Sequence, residues 1–138
     1  MKQAMTRLSI PGKGRGLQEI TAHLSNWVAG AGIQDGMLTA FIPHTSATLL
    51  INENADPDVA HDLETYFDKV APEGAGYRHE NEGPDDMPAH IRSALTQTDV
   101  QIPVMQGRMV LGTWQGVFLF EHRTEPRKRD VVLHLLGQ

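Results

Sequence analysis

A polar segment near the middle of the chain concentrates side chains that bind metal ions. Residues 77–90, YRHENEGPDDMPAH, contain two histidines and four acidic residues. Imidazoles and carboxylates are the protein ligands for Mg²⁺, Mn²⁺ and Zn²⁺ where thiolates are absent, and the chain has no cysteine. His79 follows two glycines, while Asp86 and His90 are four residues apart at the start of a predicted helix, where they can face one site. The segment predicts a divalent-metal site; alternatively, Asp86 only caps the helix and the glutamates are solvated charges.

A second segment, PHTSAT at residues 43–48, combines a histidine with hydroxyl groups between two predicted strands. His44, Thr45 and Ser46 can together bind a phosphate, orient a water or supply a base. A turn stabilised by the hydroxyls of Ser and Thr gives the same pattern without any catalytic role. The residues alone leave both interpretations open.

Further polar and aromatic groups lie at strand ends. Asn52 and Asn54 follow an apolar run, where polar side chains often point into a site but also form turns and helix caps. Trp114 and Gln115 lie between glycines in GTWQG. An indole held there can stack on an aromatic ring of a ligand, but a core tryptophan at a β-bulge is the commoner explanation.

The segment RTEPRKR, residues 123–129, is strongly basic, with four Arg or Lys side chains in seven positions. Guanidinium groups bind phosphate through paired hydrogen bonds, although a solvated hairpin loop has the same composition. Taken together, the acidic segment can hold a cation and the basic segment a phosphate. This mixture indicates a metal-bound phosphate or pyrophosphate ligand.

The hydrophobic periodicity predicts the elements that position these groups. Apolar residues at helical spacing predict helices over about 15–31, 57–71 and 87–97, with Asp56 as the cap of the second and Pro72 ending it. Strands are predicted over 4–10, 36–43, 46–54, 100–105, 108–114, 116–123 and 130–136. This order indicates an α+β fold in which mostly antiparallel sheets pack with two or three helices. The length of 138 residues fits one domain, 1–138.

Composition limits the functional classes further. The formal net charge is −5, which argues against a general nucleic-acid-binding protein. The N-terminal residues have no apolar core of a secretion signal, and no segment is apolar over the length of a membrane span. We therefore expect a cytoplasmic protein with neither a nucleic-acid nor a membrane partner.

Four motifs, in order along the chain, resemble the YjbQ family. They are HTSATLLINENADPDVAHDLETYF, YRHENEGPDDMPAHI, LGTWQGVFLFEHR and RKRDVVLHLLG. The family is associated with secondary thiamine-phosphate synthase activity, which joins hydroxymethylpyrimidine diphosphate to thiazole phosphate and releases pyrophosphate. The resemblance implies a small cytoplasmic α+β protein that forms homotrimers, with a metal and anion site near a subunit interface.

The resemblance also implies roles for individual residues. His79 and His90 are expected to bind a divalent metal, Mg²⁺ or Zn²⁺, with Asp86 or His44 completing the set. Thr45, Ser46 and Arg123 are candidates for phosphate oxygens, and Trp114 for stacking on the pyrimidine. Other matching positions, expected in the active site or in cofactor binding, are Gln115, His122, Asn52 and Asn54.

Two other functions remain open at this point. A metal site of histidine and aspartate beside the HTS motif suits a metal-dependent hydrolase of a phosphorylated or amide metabolite. A trimer that binds a metabolite or a metal without catalysis is the third interpretation.

Overall fold

The computed structural model describes residues 1–138 and shows an α+β fold with two antiparallel sheets and three helices. The five-stranded sheet has the order β1-β8-β3-β5-β6, and the three-stranded sheet has the order β2-β7-β4. The elements are β1 (Lys2–Ile10), β2 (Gly16–Glu19), α1 (Thr21–Gly30), β3 (Gly36–Phe41), β4 (Ala47–Glu53), α2 (Pro57–Val70), α3 (Asp86–Leu95), β5 (Asp99–Met105), β6 (Arg108–Met109), β7 (Gln115–Glu121) and β8 (Arg129–Gly137).

The hydrophobic core joins the inward faces of both sheets. Alternate residues of β8 are buried, as period-two alternation requires for a sheet with one covered face. The same cluster of 18 buried residues contains side chains of β3, β5, β4 and β7, and Leu24 and Val28 of α1. The core therefore connects the two sheets and α1 in one packed unit.

The three-stranded sheet is covered on both faces. On its second face Phe67 of α2 packs edge-on against Phe120, with ring centroids 5.4 Å apart. Six of the seven residues of β7 are consequently buried. This arrangement explains why Glu121 and His122 are both enclosed, although strand alternation alone predicts that only one of them points inward.

The predicted helix over 15–31 is wrong at its beginning. Residues Gly16–Glu19 form β2, which pairs with the edge of β7, and the helix begins only at Thr21. Gly16 has φ of 129°, a value that interrupts a helix and that glycine adopts without strain. The backbone pairing with β7 outweighs the helical spacing of Leu17 and Ile20, because local propensity is weaker than tertiary hydrogen bonding.

Other predicted elements agree more closely with the structure. The second helix begins at Pro57, and the Asp56 carboxylate accepts a hydrogen bond from the Asp58 N–H at 2.9 Å, as expected of a cap. The predicted strand over 108–114 is reduced to Arg108–Met109, because the chain then turns at Gly112. None of the three helices combines the length and apolar composition that crossing a bilayer requires.

Candidate metal centre

Three side chains converge at the start of α3. The Oδ2 atom of Asp86 lies 2.7 Å from His79 Nε2 and 3.2 Å from His90 Nε2. Suitable ligand atoms of the three residues all lie within 4.8 Å of one another. For comparison, ligand atoms about 2.1 Å from a tetrahedral Zn²⁺ are about 3.4 Å apart. The side chains predicted to bind metal are thus close enough to share one ion, and their role as ligands stays a prediction.

Helical geometry accounts for part of this convergence. Asp86 is the first residue of α3, and His90 lies one turn further on the same face. The predicted role of Asp86 as a helix cap is not seen, because Asp85 occupies the N-cap position and neither carboxylate makes a capping hydrogen bond. Asp86 is instead free to face His79, which the preceding loop brings to the helix.

Arg123 organises the acidic side of the centre. Its Nη1 donates to Asp86 Oδ1 at 2.7 Å, its Nε donates to Asp85 Oδ2 at 3.0 Å, and its Nη2 donates to the Glu82 carbonyl at 2.8 Å. The N–H and hydroxyl of Thr124 also donate to Asp85. Because Arg123 takes Oδ1 of Asp86, that carboxylate presents the single atom Oδ2 to the two histidines.

Hydrogen bonds keep both carboxylates ionised. Burial opposes ionisation of Asp85, but the bonds from Arg123 and Thr124 outweigh it and lower its pKa to about 2. Burial likewise opposes ionisation of Asp86, and the hydrogen bond from His79 is the largest of the effects that together lower its pKa. An anionic carboxylate beside two imidazoles is the protonation state that a cation requires.

The donor set favours some metals over others. Two imidazoles and one carboxylate suit Zn²⁺ and other transition metals, whereas Mg²⁺ prefers oxygen ligands and retained waters. Three protein ligands also leave at least one coordination position for water or substrate, as in catalytic zinc sites. His79 and His90 keep 45% and 35% of their side chains exposed, so a ligand can reach this side of the cluster.

Two cavities flank the turn formed by Gly83 and Pro84. The first, the Tyr77 cleft, has a volume of about 590 Å³ and is lined by Tyr77, His79 and Met87 among others. The second, the Arg123 cleft, has about 450 Å³ and no hydrophobic lining residue. The metal candidates therefore lie beside one partly apolar and one charged cavity.

The residues of the HTS motif lie elsewhere. The Ser46 hydroxyl accepts a hydrogen bond from Arg129 Nη2 at 2.8 Å, in a buried network in which Arg129 Nε also donates to Glu121 at 2.7 Å. Ser46 is therefore occupied inside the protein. His44 accepts the Asp130 N–H on Nε2 at 2.9 Å and lines a third, open cavity together with Thr45.

His44 is chemically restricted by its surroundings. Burial, followed by the charge of Arg129, lowers its pKa. Because Nε2 accepts a backbone hydrogen bond, the proton of the neutral ring is on Nδ1. The structure does not place His44 in the cluster with His79 and His90, so Asp86 completes the proposed set.

A further group of predicted site residues lies at the other end of the small sheet. Gln115 and Glu121 bound β7, which at about 3.3 Å per residue is roughly 20 Å long. Trp114 therefore lies far from Arg123 in the same chain. Its side chain is 63% exposed, so the alternative of a core tryptophan is wrong.

The polar residues around Trp114 stabilise the turn that carries it. The Gln115 side chain accepts the Gly112 N–H at 2.8 Å, and the Asn54 amide donates to Glu19 at 3.1 Å. The Asn52 side chain accepts the Glu53 N–H at 2.7 Å. These bonds are local, and none of them connects to the metal candidates.

Sequence reasoning missed several residues that shape the site. Tyr77 has no role in the sequence-based prediction, although it is the aromatic side chain that lines the same cavity as His79. The pairing of Arg129 with Glu121 joins positions eight apart across a loop. The sequence signal for the Arg123 contacts is weak. It consists of two consecutive acids, Asp85 and Asp86, and of an arginine in a later motif.

Comparison with known proteins identifies relatives over nearly the whole chain. The model of a family described as UPF0047 protein YjbQ-like matches residues 6–138. A UPF0047 protein of Synechocystis sp. is 49% identical over 138 residues, which are 99% of this chain and 94% of the relative. UPF0047 protein YjbQ of Escherichia coli O157:H7 is 40% identical over 132 residues, which are 95% of this chain and 96% of the relative.

Solved structures share the fold. An uncharacterized conserved protein of the YjbQ/UPF0047 family from Clostridium acetobutylicum has a TM-score of 0.87 and 37% identity, covering 95% of this chain and 99% of that one. A YbjQ-like protein of unknown function from Sulfolobus solfataricus has a TM-score of 0.90 and 25% identity, covering 99% of each chain.

Proposed function

The chain belongs to the YjbQ-like UPF0047 family, and we propose that it is a metal-dependent enzyme acting on a phosphorylated small molecule. The reaction proposed is the thiamine-phosphate-synthase-like condensation of hydroxymethylpyrimidine diphosphate with thiazole phosphate, alone or beside another physiological role. The observation that supports the proposal is the convergence of His79, Asp86 and His90 next to Arg123.

In this condensation a C–N bond forms between the thiazole nitrogen and the pyrimidine methylene, while the C–O bond to diphosphate breaks. A bound divalent cation supplies positive charge for the leaving diphosphate. The adjacent charged cleft contains Arg123 and Arg127 but also four carboxylates, so the bound cation would supply most of the positive charge that stabilises the leaving diphosphate. His79, Asp86 and His90 would hold the cation, and Arg123 occupies Oδ1 of Asp86, which leaves Oδ2 available for it.

A product assay tests the proposal. Purified protein is incubated with both substrates after loading with Zn²⁺, Mn²⁺ or Mg²⁺, or after chelation, and thiamine phosphate is quantified by mass spectrometry. We expect product only with both substrates and with a loaded metal, and more with Zn²⁺ or Mn²⁺ than with Mg²⁺. Equal product formation after complete chelation contradicts the proposal.

Metal-dependent hydrolysis is the second candidate, supported by the same donor set. Two histidines and one carboxylate with an open position are typical of zinc sites that activate a water molecule. A hydrolase consumes a phosphoester or amide without a second substrate. Loss of a single substrate in the same assay, with release of phosphate or amine, distinguishes this function from the condensation.

Tyr77 is the expected stacking residue of the substrate ring. It lines the cleft beside His79, and its hydroxyl donates to the Pro72 carbonyl at 2.8 Å, which fixes the ring. Aromatic stacking contributes about 1–3 kcal/mol per base. We expect Tyr77→Ala to raise the KM of the pyrimidine substrate about tenfold and Tyr77→Phe to raise it less, in steady-state assays.

Trp114→Ala is the matched control, because that indole lies at the far end of β7. Its KM is expected to equal that of the parent enzyme. A larger effect of Trp114→Ala than of Tyr77→Ala would assign ring binding to Trp114, contributed by another subunit.

We also propose a cytoplasmic homotrimer, and the outer face of the five-stranded sheet is the surface that suits contact between copies. Met37, Leu136 and Pro103 are adjacent in register across three strands of this face, and Phe41 pairs with Val132 four residues along; the polar row of Gln101, Thr39 and His134 lies between them. Met37, Phe41 and Leu136 keep 41–42% of their surface exposed. Exposed apolar side chains grouped on one face of a sheet in this way are typical of an interface.

A charge on this face is expected to break the assembly. We predict that Met37→Lys combined with Leu136→Lys converts the trimer to monomers in light scattering at micromolar concentration, because association would bury unpaired cations. Tyr66→Lys, at an exposed aromatic residue of α2, is the control and should stay trimeric. An unchanged mass of the double variant would place the interface elsewhere.

A further inference from the structure

Helix α3, which carries two of the proposed ligands, is held at both ends by consecutive residues beyond β7. At its beginning, Arg123 binds Asp85 and Asp86. At its end, the C-cap Thr96 reaches the ring of His122 through the hydroxyl of Thr48. The orientation of α3 is therefore fixed from one short stretch of chain.

The hydrogen bonds at the end of α3 form a series in which each donor and acceptor can be assigned. Thr96 Oγ1 lies 2.7 Å from the Arg92 carbonyl and 2.8 Å from Thr48 Oγ1, and Thr48 Oγ1 lies 2.9 Å from His122 Nε2. A carbonyl only accepts, so the single Thr96 proton goes to Arg92. With that proton used, the Thr48 hydroxyl can donate to Thr96 and accept from His122. The Nδ1 atom of His122 is buried without a hydrogen-bond partner, which disfavours a proton at that atom. The His122 ring must carry its proton on Nε2.

The surroundings of His122 keep its ring neutral. The residue is fully buried, and Phe120 lies against it with ring centroids 4.5 Å apart. Burial, followed by the charges of Arg92, Arg129 and Arg15, lowers the pKa of His122 to about 3. The His122 ring is buried, and its single N–H is used in the hydrogen bond to Thr48. It can therefore fix the position of Thr48 and Thr96, but a substrate cannot reach it.

We propose that His122 is a positioning residue for the metal centre, acting through Thr48 and Thr96 on the end of α3. The chain ends on the carbonyl of Arg92, two residues beyond His90, so it sets the position of the His90 ring relative to His79. This inference rests on the proposed metal-dependent function and goes beyond it, because none of the three residues touches the ligand atoms. Groups that hydrogen-bond directly to metal ligands typically change metal affinity about 10–100-fold when removed, and a contact that acts through the helix backbone is expected at the lower end of that range.

The substitution Thr96→Val tests the chain with little change of shape. We expect Thr96→Val and Thr48→Val to weaken Zn²⁺ binding about tenfold in competition with a chromophoric chelator, and to alter the visible spectrum of the Co²⁺-loaded protein. Thr96→Ser keeps the hydroxyl and should bind within about twofold of the parent, a rescue that a loss of packing alone does not give. Folded Thr96→Val with parental affinity and spectrum overturns the proposal.

A second measurement is independent of metal. In ¹⁵N-histidine NMR we expect one buried ring protonated on Nε2 from pH 7 down to about pH 4, assigned to His122 by its loss in His122→Gln. A ring protonated on Nδ1 contradicts the hydrogen-bond chain. If the parent protein binds no metal, the proposed function fails. The positioning role is then tested by hydrogen exchange of the His90 and Arg92 amides, and an exchange rate in Thr96→Val equal to that of the parent overturns it.

Discussion

His90→Ala is expected to lose metal and activity together. The substitution removes one of the three proposed ligands and leaves Asp86 bound to Arg123, so the acidic side of the site stays in place. Loss of a direct ligand should cost more than the 10–100-fold typical of residues that only support one, so we expect affinity to fall more than about 100-fold. Elemental analysis after dialysis against excess Zn²⁺ measures the occupancy.

Folding should survive this change, because the His90 side chain is 35% exposed. His61→Ala is the matched control: His61 lies on α2 with its side chain 77% exposed and takes no part in the cluster. Its metal content and activity should equal those of the parent. If His90→Ala keeps the metal content of the parent, His90 is not a ligand. If the variant loses metal but keeps the activity of the parent, the reaction does not depend on this centre.

Arg123→Ala is expected to have the largest effect on stability. It leaves the carboxylates of Asp85 and Asp86 without their cation, although their side chains are only 10% and 3% exposed. Removing one partner of an enclosed ion pair typically costs about 3–5 kcal/mol. Urea unfolding at fixed protein concentration measures this loss of unfolding free energy. Arg123→Lys should recover part of it, since one ammonium cannot reproduce the guanidinium contacts.

The same variant should change the pH dependence of stability. The pKa of Asp85 is lowered from 3.8 to about 2 in the folded chain, so its stabilisation is complete above about pH 4 and is lost as the pH falls towards 2. A shift of this size corresponds to about 2 kcal/mol. In Arg123→Ala the decline between pH 4 and 2 should be smaller, because the pKa of Asp85 returns towards its ordinary value.

Arg7→Ala is the control for a surface ion pair. Arg7 binds Asp130 at 3.0 Å, but the two side chains are 61% and 39% exposed. Such pairs contribute about 0–1 kcal/mol, so the acid decline of this variant should parallel that of the parent. A stability loss in Arg123→Ala no larger than that in Arg7→Ala would show that Asp85 and Asp86 find other partners.

Short-range spacing predicted part of the candidate metal centre. Asp86 and His90 are neighbours because a helix brings residues four apart to one face. His79 joins them through a loop whose path no periodicity describes. Arg123 could not be assigned to Asp85 and Asp86 from the sequence, because the contacts cross 37 or 38 positions and depend on where β7 ends relative to α3.

The errors in the predicted fold have a similar origin. Leu17 and Ile20 have helical spacing with Leu24, yet β2 forms because the edge of β7 offers hydrogen bonds to Gly16–Glu19. Glu121 and His122 are both enclosed because helices cover the second face of the small sheet. Both outcomes depend on neighbours distant in sequence, which pattern analysis of one chain does not contain.

The placement of Trp114 has an optical consequence. The chain contains two tryptophans, and Trp27 is partly buried against the core. The indole of Trp114 is open to water and roughly 20 Å along β7 from the metal side, so iodide should quench its emission whether or not a cation is loaded. Iodide quenching of Trp114 therefore tests whether this indole stays exposed in solution, and any binding of metal at the candidate centre must be followed with a metal chromophore.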